Sequence, residues 1–254
     1  LATGSRPKAI PGIILDGHRV ITSNEALFLQ QVPRSLIILG AGAVGVEFAN
    51  LFHTYGAEVT LVEILPRVLP VEDEEISELL SKSLTKRGIR IMTGTEVKGV
   101  ALEAEGARVE VSSDGQSVKL QAEMVLVAVG RTPNSEGIGA EEVGISIERG
   151  FIQVNERMET SVDGIYAIGD VIGPPLLAHS AMAEGVIAVE AIAEMKVHPL
   201  DHRSIPSCTY CQPQVASIGL TEAKAREEGY EIKVGRFPFQ ANGKAQAIAF
   251  LNPL

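Results

Sequence analysis

Leu36-Ile37-Ile38-Leu39-Gly40-Ala41-Gly42-Ala43-Val44-Gly45 sets an apolar run against a glycine turn that opens a stretch of helical character. Glu63 closes the next apolar run eighteen residues beyond Gly45. Strand, G-x-G-x-x-G, helix, strand and carboxylate, in that order, are the parts of a dinucleotide-binding βαβ unit. The first glycine permits the tight turn, the second lets backbone approach a pyrophosphate, and the third lets helix and strand pack closely. The helix start adds unpaired N–H groups and a positive dipole end. A plain glycine turn in an ordinary α/β protein is the competing reading, and the register of strand, helix and acid counts against it. Glu63 suits ribose hydroxyls and repels a 2'-phosphate, so the spacing predicts NAD rather than NADP. Arg67 dissents, since an arginine there accommodates that phosphate, and Glu63 has a plainer reading as the end of an edge strand.

Working outward, 254 residues with 45% hydrophobic and 21% charged content make an ordinary globular composition, long enough for one large or two modest cores. A net charge of -10 argues against nucleic acid or an anionic membrane as partner. The run Glu72-Asp73-Glu74-Glu75 reads as a solvated first helical turn. No apolar stretch reaches the roughly 18 residues of a membrane span, and no basic-then-apolar leader opens the chain, so a soluble cytoplasmic protein is the expectation. Two cysteines, Cys208 and Cys211, fit a reducing compartment. Leu1 to Gly4 reads as the end of a strand and Phe250 to Leu254 stops without a cap, so a piece of something longer is expected.

Residues 7–34 read as a connector with a helical turn or two near Glu25 to Leu29. Strand Leu36–Leu39, helix Ala43–Tyr55 with Gly56 as cap, and strand Val59–Val62 make the first half of the unit. A helix over Glu72 to Lys86, with apolar Ile76, Leu79, Leu80 and Leu84, stops at Gly88 before a strand at Arg90 to Met92. Residues 95–121, with turns at Glu105-Gly106 and Asp114-Gly115, predict a three-stranded antiparallel meander. Met124 to Val129 is apolar on both faces and predicts a buried parallel strand, which brings Gly130 to the nucleotide edge of the sheet. Near Gly150 a second module begins, with strands at Ile152–Val154 and Gly164–Ile168, then Gly169-Asp170 and a closely packed helix over Ala178 to Met195. From Ser204 the chain has Pro-bounded strands and a helix at Glu222 to Glu228. The fold class is therefore α/β, a Rossmann-like domain with a parallel sheet and a meander, followed by part of a second domain and the start of an α+β third.

Several motifs together carry a resemblance. Ala2-Thr3-Gly4-Ser5-Arg6-Pro7, the glycine loop running into Val46-Glu47-Phe48-Ala49, Val127 to Asn134, Tyr166-Ala167-Ile168-Gly169-Asp170-Val171 and Leu177-Ala178-His179 resemble the dihydrolipoamide dehydrogenases. These are flavoprotein disulfide reductases of the 2-oxo acid dehydrogenase and glycine cleavage complexes. The likeness runs from Leu1 to about Gln246. It implies that Gly40, Ala41, Gly42, Ala43, Val44, Gly45, Val46 and Glu47 hold NAD, that Glu63 takes the adenosine ribose, that Val97 touches the adenine, and that Gly130 and Glu47 lie near the nicotinamide. It implies FAD contacts from Thr3, Gly4, Ser5, Asp170, Leu176, Leu177, Ala178 and His179. It further implies a domain plan of 1–32 (end of a first FAD segment and connector), 33–150 (NAD), 151–203 (second FAD segment) and 204–254 (truncated interface domain), with a homodimer and a dihydrolipoyl domain as partners of the intact protein.

The resemblance also implies a Cys-x4-Cys pair in an amino-terminal FAD segment and a His-Pro and Glu pair in the carboxyl-terminal interface domain, and neither pair is among these residues. No catalytic residue is therefore expected within this chain, which should keep the NAD module and half of a flavin site. Mercuric or glutathione reductases, and a non-catalytic NAD-binding module, are the competing functions. Cys208-Thr209-Tyr210-Cys211, with His198 and His202 upstream, raises a zinc or redox reading; a strand there would turn side chains three apart to opposite faces, and Pro213 opposes the helix a low-pKa thiol needs. No metal site is expected. Glu47 as a first-turn helix carboxylate and Asp170 as an N-cap are the plainer readings of those two residues.

Overall fold

β-Branched and leucine residues in short runs, each ended by a glycine or a polar turn, build the central sheet. A computed structural model describes residues 1–113 and 115–251. β1 (Ser5–Pro7) and β2 (Val20–Thr22) come first, and β2 runs straight into the single turn α1 (Ser23–Ala26). β3 (Ser35–Leu39), α2 (Ala43–Thr54) and β4 (Glu58–Val62) form the βαβ unit, and α3 (Glu74–Arg87) leads to β5 (Arg90–Met92). β6 (Thr95–Glu103), β7 (Gly106–Ser113) and β8 (Gln116–Ala122) are an antiparallel meander, before the wholly buried β9 (Met124–Val127) and the short β10 (Arg131–Pro133). Asp114, in the expected second turn of the meander, and the chain end at 252–254 lie outside the described residues.

The parallel sheet has the order β2-β9-β3-β4-β5, with Leu36 to Leu39 in register with Met124 to Val127 on one side and Val59 to Val62 on the other. One face packs Leu36, Ile38 and Leu61 against Val46, Phe48 and Phe52 of α2 and Leu80 and Leu84 of α3. The other packs Ile37, Leu39, Val125 and Val127 against Ala107, Val109, Val111 and Leu120 of the meander. Burial on both faces is what requires an apolar run without alternation. Fully burying such a side chain stabilises by about 1.5–3 kcal/mol, so this three-layer sandwich holds the carboxyl edge of the sheet rigid.

Several expectations need correction. The stretch read as connector contains β2, an edge strand, because one carboxylate oxygen of Asp16 gathers the amides of His18, Arg19 and Val20 at 2.8–3.0 Å and turns the chain into the sheet. The helical turn sits at Ser23–Ala26, since Thr22 and Glu25 form a reciprocal capping box that fixes its start. The ladder of β9 stops at Val127 because its partner β3 ends where Gly40 turns at φ +105°. Leu1 to Gly4 is not a strand: Gly4 stands at φ +70°, and the pairing with β10 begins at Ser5.

In the second module β11 (Ile147–Glu148) pairs only with Phe151–Ile152, which is β12; the expected continuation to Val154 is cut short as the Asn155 side chain accepts the amides of Arg157 and Glu159. Gly164 to Ile168 makes a single bridge, Tyr166 with Glu159, because Met158 at φ +62° breaks the facing segment. It leads into a 3-10 turn, Gly169–Val171, and α4 (Ala178–Ile192) follows. The last module carries β13 (Ser207–Thr209), β14 (Val215–Ser217) and α5 (Glu222–Glu227).

The acidic run also departs from its reading as a solvated turn. Glu72 is buried, while Asp73 accepts the amide of Glu222 at 2.8 Å and Glu75 pairs with Arg236 at 2.6 Å, so Asp73 and Glu75 seat the last module. Of the apolar positions assigned to α3, Leu80 and Leu84 are buried while Ile76 and Leu79 are exposed.

Candidate functional site

The three glycines of the loop are required for three different reasons. Gly40 stands at φ +105°, and a Cβ there would lie 2.5 Å from the Ala128 carbonyl oxygen. A Cβ on Gly45 would lie 1.9 Å from the Gly40 carbonyl oxygen, so only glycine lets α2 cross this close to β3. Gly42 has an ordinary φ of -72°, and a Cβ there would meet nothing within 4 Å. Among the described residues nothing demands glycine at that position, whereas a ligand lying on the backbone would.

Gly42 is the N-cap of α2, with no side chain bonded to the helix start and no acid in its first turn. The first helical bond runs from Val46 N to Gly42 O at 3.0 Å, which leaves the preceding amides, including those of Ala43 and Val44, as the unpaired donors of the helix start. Open space over Gly42 beside uncapped donors fits a dinucleotide diphosphate.

The loop is held from both sides. The Ala41 amide donates to Glu63 Oε2 at 2.6 Å and the Ala41 carbonyl accepts from Leu69 N at 2.8 Å. Glu63, 7% exposed, spends its other oxygen on the Leu65 amide at 2.9 Å. The predicted ribose ligand thus stands at the end of β4 against the glycine loop itself. Arg67 donates to Pro70 O at 3.2 Å within its own loop. β6 starts beside Glu63, where the Thr95 amide donates to Glu63 O at 2.9 Å, and half-buried Val97 lies two residues along on the same face. Gly130, at φ +110°, ends the chain segment that leaves β9 next to Gly40, on the carboxyl edge of the sheet. Glu47 is turned to the last module, where its Oε1 accepts the Tyr210 amide at 2.7 Å.

A second cluster joins residues that sequence places far apart. The Ser5 hydroxyl donates to Asp170 Oδ2, Arg131 Nε donates to Ser5 Oγ at 2.6 Å, and Arg131 Nε lies 3.8 Å from Asp170 Oδ2. Thr3 Oγ1 donates to Asn134 O at 2.7 Å and Asn134 Nδ2 returns a bond to Thr3 O at 2.9 Å, which locks the Gly4 turn between them. Leu177 is the N-cap of α4 and Ala178 its first residue, with Leu176 just before, and His179 Nε2 meets Pro206 O at 2.8 Å. Asp170 is not an N-cap but the middle residue of the turn Gly169–Val171. Arg131 and Glu184 were not singled out from sequence. Arg131 sits in the Val127-to-Asn134 motif, and Glu184 hides among small residues, four after Ser180 on the buried face of α4.

β13 ends at Thr209, Cys211 is buried beyond it with Sγ 3.0 Å from Pro213 O, and Cys208 and Cys211 are free thiols. Burial, reinforced by the Glu47 carboxylate, pushes the Cys211 thiol up to about 11, so it stays protonated and unreactive at neutral pH.

Residues 1–185 match the family described as pyridine nucleotide-disulphide oxidoreductase. The chain belongs to this family. Residues 205–251 match the dimerisation domain of the pyridine nucleotide-disulphide oxidoreductases. Among curated relatives, the dihydrolipoyl dehydrogenase of Rhizobium etli is 49% identical over 98% of this chain and 52% of its own length, and that of Bacillus subtilis is 46% identical over 96% and 52%. Among solved structures, LpdA from Mycobacterium tuberculosis has a TM-score of 0.88 at 30% identity, covering 97% of this chain and 53% of that one. The HOCl-induced flavoprotein disulfide reductase RclA from Escherichia coli has a TM-score of 0.85 at 29% identity, covering 97% and 56%. The chain spans about half the length of the curated relatives it matches. Among the described residues, no helix is long and apolar enough to cross a membrane.

Proposed function

We propose that this chain is the NAD-binding core, with part of the flavin site, of a dihydrolipoyl dehydrogenase, which oxidises dihydrolipoamide to lipoamide and reduces NAD to NADH. The observation that carries the reading is the glycine loop: open space at Gly42, uncapped donors at the start of α2, and a carboxylate at the end of β4 bonded to the same loop. Residues 33–150 form the NAD module of this proposal, 1–32 and 151–203 contribute to the flavin module, and 204–254 belong to the interface through which two copies of the whole protein pair. A dihydrolipoyl domain of a 2-oxo acid dehydrogenase or glycine cleavage complex is the proposed macromolecular partner.

The amides of α2 receive the diphosphate, and Glu63 receives the ribose hydroxyls without giving up its bond to Ala41. Val97 lies along the adenine, and Gly130, lacking a side chain, leaves room for the nicotinamide half. Asp170 and Ser5 would hold the polar chain of FAD, with Thr3, Gly4 and the start of α4 along it. Flavin, when bound, supplies the hydride path to nicotinamide, and the protein supplies orientation and exclusion of water. Glu63 favours NAD because a 2'-phosphate would bring like charge against a carboxylate already buried.

Isothermal titration tests the cofactor assignment. NADH should bind at least about tenfold tighter than NADPH, the worth of one bond to a charged group, and Glu63→Ala should erase the difference. Equal affinity of the unaltered chain for both would overturn it.

A further inference from the structure

Glu184 is 2% exposed, the most enclosed of the three buried carboxylates among the described residues. Burying a carboxylate costs several kcal/mol unless donors surround it. Three do: Oε2 accepts the Gly169 amide at 2.7 Å, while Oε1 accepts the Ser180 hydroxyl at 2.8 Å and lies 3.2 Å from His202 Nε2. The Gly169 amide is the first donor of the 3-10 turn that carries Asp170, and among the described residues no other side chain caps that turn. Gly169 itself stands at φ +74°, with the Ala181 Cβ of α4 3.3 Å from where its own Cβ would be. The turn is thereby pinned to α4 from behind while Asp170 is engaged in front by Ser5 and Arg131.

We infer that Glu184 is the positioning residue of the flavin site, fixing the Gly169-Asp170 turn so that the Asp170 carboxylate is presented to the polar chain of FAD. This rests on the flavin reading of Asp170 given above. A leucine would fill the same space on α4 without desolvating a charge, so packing alone gives no reason for a carboxylate here. Glutamine keeps an acceptor for the Gly169 amide and removes the charge.

The test compares the chain with its Glu184→Gln, Glu184→Leu and Asp170→Asn variants, reading amide hydrogen exchange residue by residue and the quenching of FAD fluorescence on titration. Glu184→Leu should speed exchange at Gly169 by about tenfold or more, the loss of one charge-assisted bond, and leave Ala41 unchanged. It should weaken FAD about as much as Asp170→Asn does, and Glu184→Gln should restore both readings to within about threefold. If Glu184→Leu fails to fold, Ser180→Ala, which removes one donor to the same carboxylate, should raise Gly169 exchange without altering Ala41. Unchanged Gly169 exchange in the leucine variant, or equal loss in the leucine and glutamine variants, would overturn the role of Glu184. Unchanged FAD affinity in Asp170→Asn would overturn the flavin reading and leave Glu184 to be judged on exchange alone.

Discussion

Gly42→Asp should stabilise the protein and weaken NADH binding. Its Cβ has open space, its φ of -72° suits any residue, and α2 begins with no side-chain cap. An aspartate there accepts an orphan N–H and sets a negative charge at the positive end of the helix, worth about 0.5–1 kcal/mol relative to glycine. The same carboxylate occupies the donors proposed for the diphosphate and repels its charge. A loss of roughly hundredfold in NADH affinity, about 2.7 kcal/mol, is expected, with the midpoint of thermal unfolding raised by a degree or two. Opposite signs in the two measurements separate a ligand-facing glycine from a structural one. A stabilised variant that still bound NADH normally would place the diphosphate elsewhere.

Gly45→Ala should destabilise the protein instead. The added Cβ would stand 1.9 Å from the Gly40 carbonyl oxygen, a backbone atom that moves only if β3 or α2 moves. The Gly40 amide is itself bonded to Val62 O at 2.8 Å, and Ala41 is held by Glu63 and Leu69, so the loop has little freedom to yield. Overpacking of this kind costs about 3 kcal/mol, a large share of the stability of a domain this size, and chemical denaturation should report it directly. NADH affinity falls with it as the loop is displaced. An alanine variant of unchanged stability would mean that α2 and β3 do not approach as closely as described.

The glycine loop was legible from sequence because a tight turn at Gly40 and a close crossing at Gly45 each select glycine, and a third glycine falls between them at the helix start, at fixed spacing. β3, α2, β4, the meander and β9 followed from period and glycine punctuation, since burial on two faces leaves an unbroken apolar run. What escaped was short and held by side chains. β2 has three residues, and its place in the sheet depends on Asp16, whose carboxylate collects three amides. Partial burial works against the charged form of Asp16, but those three donors outweigh it and hold the carboxyl below its ordinary value. Gly164 to Ile168 has strand composition, yet a strand needs a neighbour that stays extended, and Met158 does not. The acidic run at Glu72 to Glu75 fitted a helix start in sequence, while its partners Glu222 and Arg236 lie some hundred and fifty residues on and carry no local signal. Arg131 and Glu184 were missed for the same reason: each acts on a residue distant in sequence, Arg131 on Ser5 and Glu184 on Gly169.

Soaking NADH into crystals of this chain tests the central claim most directly. Diphosphate oxygens within about 3 Å of the Ala43 and Val44 amides, with the adenosine ribose on the Glu63 carboxylate, are the result predicted. Density for the dinucleotide away from Gly40 to Gly45, or at that loop with the ribose turned from Glu63, would contradict it.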